Sequence, residues 1–151
     1  MKLFYSSRLF SKPTFSVLFF MLFFQLSIGQ TVLGKWKTID DQTGKAMSIV
    51  EIVERNGKIE GRVIDILNPA NKNRRCENCE GENKNKPILN LRIIEGLSKK
   101  GDEYSGGHIL DPKTGKKYKC YITLENKDKL KVRGYIGISL LGRTQYWHRV
   151  H

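Results

Sequence analysis

Three cysteines, three histidines and two tryptophans in 151 residues leave few side chains for metal or nucleophilic chemistry. His108, His148 and His151 are too scattered to form the H-E-x-x-H of a zinc helix. In Gly137-Ile138-Ser139-Leu140-Leu141 the second glycine falls one place late, at Gly142, for a G-x-S-x-G nucleophile elbow. No paired-carboxylate motif is present. Asp111 lies near His108, but Asp111-Pro112 reads as the opening of a turn. A second C-x-x-C is missing too, so Cys76 and Cys79 have no partner pair for a four-thiolate zinc site. Basic residues form no stripe interleaved with aromatics, which argues against nucleic acid as a partner. These gaps leave no catalytic residue, cofactor or metal to assign. Only a triad assembled from distant positions escapes the argument.

What the chain does have begins with a leader. Lys2, Arg8 and Lys12 precede the apolar run FSVLFFMLFFQL, Phe15–Leu26, with no acid among them. Ser27 and Gly29 are small residues at −3 and −1 to a cut before Gln30. This three-part pattern is that of a secretory signal peptide over residues 1–29. A membrane span needs about 20 apolar residues, more than this run supplies. No cysteine follows to carry a bacterial lipid anchor. The expected protein is therefore exported, periplasmic or extracellular in a bacterium, with no stable membrane span after cleavage.

Residues 30–151 form one domain large enough to bury a core. Without the three basic residues of the leader they carry 24 basic against 15 acidic side chains, a net charge of +9. Such a balance serves solubility and favours anionic surroundings, such as envelope polymers, lipid headgroups or acidic ligands.

The pattern after Gln30 is strands and turns. Eight candidate strands are Val32–Ile39, Met47–Glu54, Lys58–Leu67, Ile88–Ile94, Glu103–Leu110, Lys117–Leu124, Lys129–Gly137 and Arg143–Val150. Asn56-Gly57 between two apolar runs is a strong hairpin signal, because both turn residues need a positive φ. Tyr118, Cys120, Ile122 and Leu124 alternate with polar neighbours, as do Leu130, Val132, Gly134 and Ile136. Period two means one buried and one wet face. Short strands joined by tight turns predict an all-β antiparallel sandwich or barrel. Gly61, Gly106, Gly107, Gly134 and Gly137 lie within these strands, where glycine lets a sheet bend far enough to close. Asp40, Thr43, Gly44, Lys45, Glu54, Lys58 and Arg62 recur 71 residues later, from Asp111 to Arg133. Duplication or shared hairpin chemistry would each produce this echo.

The connection Asn68–Pro87 breaks the short-turn rule. It contains no Val, Leu, Ile or aromatic residue and needs something to tie it down. In an oxidising compartment a Cys76–Cys79 disulfide is the default. A bridge from Cys120 to one of the pair, a Cys₃His zinc site with Cys120 and His108, and a thiol-redox pair are the alternatives. Cys120 shares its face with apolar residues and also reads as a buried, inert thiol.

Trp36 stands near the start of the domain and Trp147 near its end. If eight strands close as a meander, the first must pair with the last. Trp36 then meets a strand in which Arg143, Gln145, Trp147 and Arg149 share one face, and a guanidinium over an indole is expected there. Gly34-Lys35-Trp36 resembles the Gly-x-Trp signature of lipocalins and calycins, in which the tryptophan packs on an arginine from near the chain end. Four stretches together resemble a secreted bacterial family catalogued as domain of unknown function 2147. They are GKWKTIDDQTGKAMSIVEI, the C-x-x-C followed by KNKPI, SGGHILDPKTGKKYKC and KLKVRGYIGISLLGRTQYWHR. The resemblance implies a compact eight-stranded calycin-like barrel in an exported protein. It implies no reaction and supplies no catalytic residues.

A barrel of eight strands is filled by its own side chains or holds one small ligand. In a domain this size a small or shallow cavity is expected. The leading expectation is a binding protein for a small apolar or amphipathic anionic molecule. Trp36, Tyr118, Arg143 and Trp147 are the candidate contacts, with aromatics supplying area and arginine orienting an acid group. The alternatives are a filled barrel that interacts with an anionic envelope surface, and a metal or redox protein centred on the C-x-x-C.

Overall fold

The computed structural model describes residues 30–151. The expected leader at 1–29 lies outside them. Eight strands follow in order: β1 Gly34–Ile39, β2 Ala46–Arg55, β3 Lys58–Ile66, β4 Arg92–Lys100, β5 Glu103–Leu110, β6 Lys117–Asn126, β7 Lys129–Tyr135 and β8 Gly142–Arg149. Each runs antiparallel to the next. β8 returns to β1 through Trp36↔Arg149 and Lys37↔His148, so the sheet is a closed barrel without free edges. Asn56 and Gly57 adopt φ of 51° and 72°, as the hairpin between β2 and β3 requires.

Alternation decides what faces in. Val50, Ile52, Val63, Cys120, Ile122, Leu130 and Val132 are buried, while Lys35, Lys37, Arg62, Lys117 and Lys119 point to water. An apolar interior under a charged exterior is the reverse of a membrane-spanning barrel. Among the described residues no helix is long and apolar enough to cross a membrane.

Two strands, β4 and β7, depart from expectation. The strand expected at Ile88–Ile94 starts only at Arg92. Ile88–Leu91 is a turn instead, closed by Leu91 N–H to Ile88 C=O at 3.0 Å with Asn90 at φ 68°. The strand then continues beyond Ile94 to Lys100, because Ser98–Lys100 pair with Glu103–Ser105. β7 stops at Tyr135, so Gly137 lies outside the sheet and bends no strand.

The internal echo follows the architecture. A shift of 71 residues lays β2 on β6 end for end. Asp40 N–H bonds Lys45 C=O at 2.9 Å and Gly44 N–H bonds Asp40 C=O at 2.7 Å. Asp111, Gly115 and Lys116 repeat both bonds at 2.9 and 2.8 Å. The halves part company at their last connections. β3–β4 is the long Cys-containing segment and β7–β8 is a short apolar loop. Four strands separate these connections in a ring of eight, so they face each other across one end of the barrel.

The other end is sealed. The Arg149 guanidinium lies 4.1 Å from the centre of the Trp36 ring. It donates to Lys127 C=O at 2.6 Å, Leu33 C=O at 2.9 Å and Thr31 C=O at 2.6 Å. The Trp36 indole N–H donates to Val32 C=O at 2.8 Å. Gly34 has φ of 119°, and a Cβ there would sit 3.0 Å from Arg149 Nη1. Glycine at this position thus permits both the backbone conformation and the guanidinium's approach.

Candidate functional site

The barrel is half filled. Trp36, Ile52, Ile59, Leu97, Ile122 and Leu130 pack the sealed half and are almost wholly inaccessible. Above them lies a cavity of about 700 Å³ that opens at the opposite end. Thr38, Val63, Val132 and Trp147 are its deepest residues on their strands, and Ile66, Ile93, Ile109 and Tyr118 continue the wall upward. From Gly142 at the mouth to Trp147 is about 16 Å along β8. The expectation of a small or shallow cavity is therefore corrected. Large side chains fill the interior only in the sealed half; above it Thr38, Val63, Val132 and Gly134 leave room between the wall's larger residues.

Polar atoms in the wall are matched to each other. The Thr38 and Ser48 hydroxyls lie 2.8 Å apart. The Trp147 indole N–H donates to Gln145 Oε1 at 3.4 Å. Polarity rises toward the mouth, where Arg74, Lys113 and Arg143 reach the lining. Arg143 Nε donates to Asp41 Oδ2 at 2.6 Å, and its Nη2 donates to Oδ1. This bidentate pair ties the β1–β2 turn to β8. The guanidinium's hydrogen bonds hold the Asp41 carboxyl below the usual carboxylate range, and Asp41 in turn raises Arg143. Asp40 is also lowered, by the Thr43 backbone N–H and then its hydroxyl.

The segment between β3 and β4 is a built flap. A disulfide joins Cys76 to Cys79, and both residues are fully buried. Cys76 N–H bonds Lys86 C=O at 2.9 Å, Asn85 N–H bonds Cys76 C=O at 3.0 Å, and the Arg75 guanidinium donates to Asn85 C=O at 2.8 Å. The flap rests on the β5–β6 turn. Asn78 Nδ2 donates to Lys113 C=O at 3.1 Å, and a Cβ on Gly115 would come within 1.9 Å of Asn78 O. Only glycine allows so close an approach. Asn71, Arg74 and Ile88 bring the flap to the cavity wall.

A family profile described as "Uncharacterized protein conserved in bacteria (DUF2147)" matches residues 34–149, all eight strands included. The chain belongs to the DUF2147 family. No curated protein matches it. Among solved structures it is similar to protein HP1028 from the human pathogen Helicobacter pylori, described as belonging to the lipocalin family. The TM-score is 0.72 at 21% identity, over 82% of this chain and 85% of that one. The likeness shows a lipocalin-like barrel.

On this DUF2147 barrel three of the four candidate contacts reach the cavity. Tyr118 and Trp147 line the wall and Arg143 lines the mouth. Trp36 does not, because it packs beneath the floor against Arg149. The arginine over the indole is thus Arg149 rather than Arg143. Parity put both on one face, and only the register of β1 against β8 separates them. Arg74, Lys113 and Gln145 were not singled out from the sequence. Gln145 shares the Trp147 face, but nothing local marks Arg74 or Lys113, which the flap and the β5–β6 turn carry to the mouth.

Cys120 is a free, buried cysteine on β6, and burial pushes its thiol up to about 12. It joins neither Cys76 nor Cys79. Among the described residues no three His, Cys, Asp or Glu side chains gather as a metal site. A disulfide with no exposed surface meets a redox partner only if the flap lifts.

Proposed function

We propose that this protein is an exported binding protein that holds one small amphipathic anionic molecule. Its apolar part would lie against Val132, Tyr118 and Trp147, and its acid group would sit at the mouth. The cavity carries this reading: about 700 Å³, apolar in depth, with Arg74, Lys113 and Arg143 beside Asp40 and Asp111 at the rim. That volume lies in the range of small-molecule sites. Arg143 is already engaged by Asp41, so Arg74 and Lys113 are the cations available to a ligand's acid group. The leader-like segment at 1–29 supports export, and N-terminal sequencing of the secreted protein tests it by finding Gln30 first.

A fluorescent long-chain fatty acid tests the cavity. Binding is expected to quench Trp147 emission and to be competed by unlabelled fatty acid. Val132→Trp fills the cavity and should weaken binding by on the order of tenfold or more. Val132→Trp binding as tightly as the native protein would sink the reading. So would a failure of fatty acids, isoprenoid acids and haem-like acids alike to displace any probe.

A further inference from the structure

We propose that the β7–β8 loop, Ile136–Leu141, is a docking element that seats the mouth of the barrel on an anionic lipid bilayer. The molecule supplies its own contrast. The other hairpin turns are polar, as in DDQTGK, RNGK, DPKTGK and ENKD. In this loop Ile136, Ile138, Leu140 and Leu141 are 64%, 59%, 83% and 73% exposed. Four large aliphatic side chains within six residues make a patch rather than the scattered single residues of an ordinary surface.

The backbone under the patch is prepared for an apolar phase. The Arg133 guanidinium donates to Ser139 C=O at 2.8 Å, to Leu140 C=O at 3.2 Å and to the Thr144 hydroxyl at 2.7 Å. Leu141 N–H donates to Ile138 C=O at 3.1 Å. Backbone polar groups that leave water for lipid must find partners within the protein, and here three carbonyls and an amide have done so. Arg133 also holds the loop in one shape before any contact is made.

Charge selects the kind of surface. Asp41 is paired with Arg143, while Asp40 and Asp111 keep their charge and accept hydrogen bonds from Thr43 and Thr114, two acids against the four cations that follow. Lys45, Arg74, Lys113 and Lys116 take part in no ion pair among the described residues. An aliphatic tip bordered by uncommitted cations suits lipid chains beneath anionic headgroups. Ile136, Leu140 and Leu141 also line the cavity. Docking therefore opens an apolar path from hydrocarbon to cavity. That path rests on the binding reading above, whereas the docking does not.

Flotation with lipid vesicles decides it, using residues 30–151, which contain the eight strands and the buried core described above. The native domain should float with vesicles rich in phosphatidylglycerol. It should float on the order of tenfold less with pure phosphatidylcholine or at high salt. Ile138→Asp, at a position outside the cavity wall, should lower flotation on the order of tenfold, with Leu140→Asp as a second variant and thermal melting to confirm folding. The proposal is overturned if the native domain stays in solution, if both variants float as well as it does, or if neutral vesicles serve equally. Dimers abolished by Ile138→Asp, without flotation, would also overturn it and assign the patch to a second copy. Probe displacement in lipid-free solution reads the cavity separately, so either idea fails without the other.

Discussion

Arg149 does several jobs with one side chain. It covers the Trp36 ring and satisfies three backbone carbonyls from the segment before β1 and the β6–β7 turn. Hydrogen bonds from a charged donor and a shielded cation–π contact together put the cost of Arg149→Ala at about 2–4 kcal/mol. Urea unfolding should show that loss, and Arg149→Lys should recover less than half, since an ammonium lacks the planar fork. The other rim arginine behaves differently. Arg143 and Asp41 are largely exposed, so their pair contributes less than about 1 kcal/mol, screened by salt. Asp41 titrates lower in the fold than in the open chain. The pair's contribution is therefore complete above the ordinary aspartate value of about 3.9 and disappears as pH falls through the lower folded value. Urea midpoints of native protein and Asp41→Asn should differ slightly at neutral pH and coincide in strong acid. The sequence separates neither role, because Arg143 and Arg149 share a strand face and differ only in distance from the mouth.

Among the elements, the flap owes its order to chemistry that has little to do with strand pattern. It contains no Val, Leu, Ile or aromatic residue between Asn68 and Pro87, yet both its cysteines are buried. Replacing Cys76 and Cys79 by serine should cost about 2 kcal/mol from loop closure. It should also speed amide exchange at Asn85 and Cys79 while leaving β2 and β6 protected. Equal exchange in the two proteins would show that docking on Lys113 and Gly115 suffices. The strands were far more legible than the flap. Glu103–Leu110 could be read to the residue, since Gly- and Asp-containing turns bound it on both sides. Ile88–Leu91 was misread, because a run of aliphatic residues marks burial without distinguishing a strand from a tight turn. The flap's resting place was invisible, for it depends on Gly115, a glycine that looked like ordinary turn chemistry.

Across the whole molecule, closure through β1 and β8 sets everything else. Spin labels at Lys37 and His148, which are exposed register partners, should report a separation under about 15 Å. Labels tens of ångströms apart would dissolve the barrel and its cavity together. Closure was legible from the two tryptophans and the resemblance at the chain ends. The cavity's size was not, because it depends on which strand positions near the mouth carry small side chains, and that needs the register of all eight strands. The halves repeat one another yet close the mouth differently, with a covalently tied polar flap on one side and an aliphatic loop on the other.

The sealed end also carries both ends of the described barrel: Thr31 and Leu33 meet Arg149 there, and His151 lies 3.0 Å from Asp128 in the β6–β7 turn. An affinity tag, biotin handle or surface tether fused to either terminus of the barrel thus leaves the rim facing outward. An immobilised sensor made this way would present every molecule in one orientation, with its opening toward the flow.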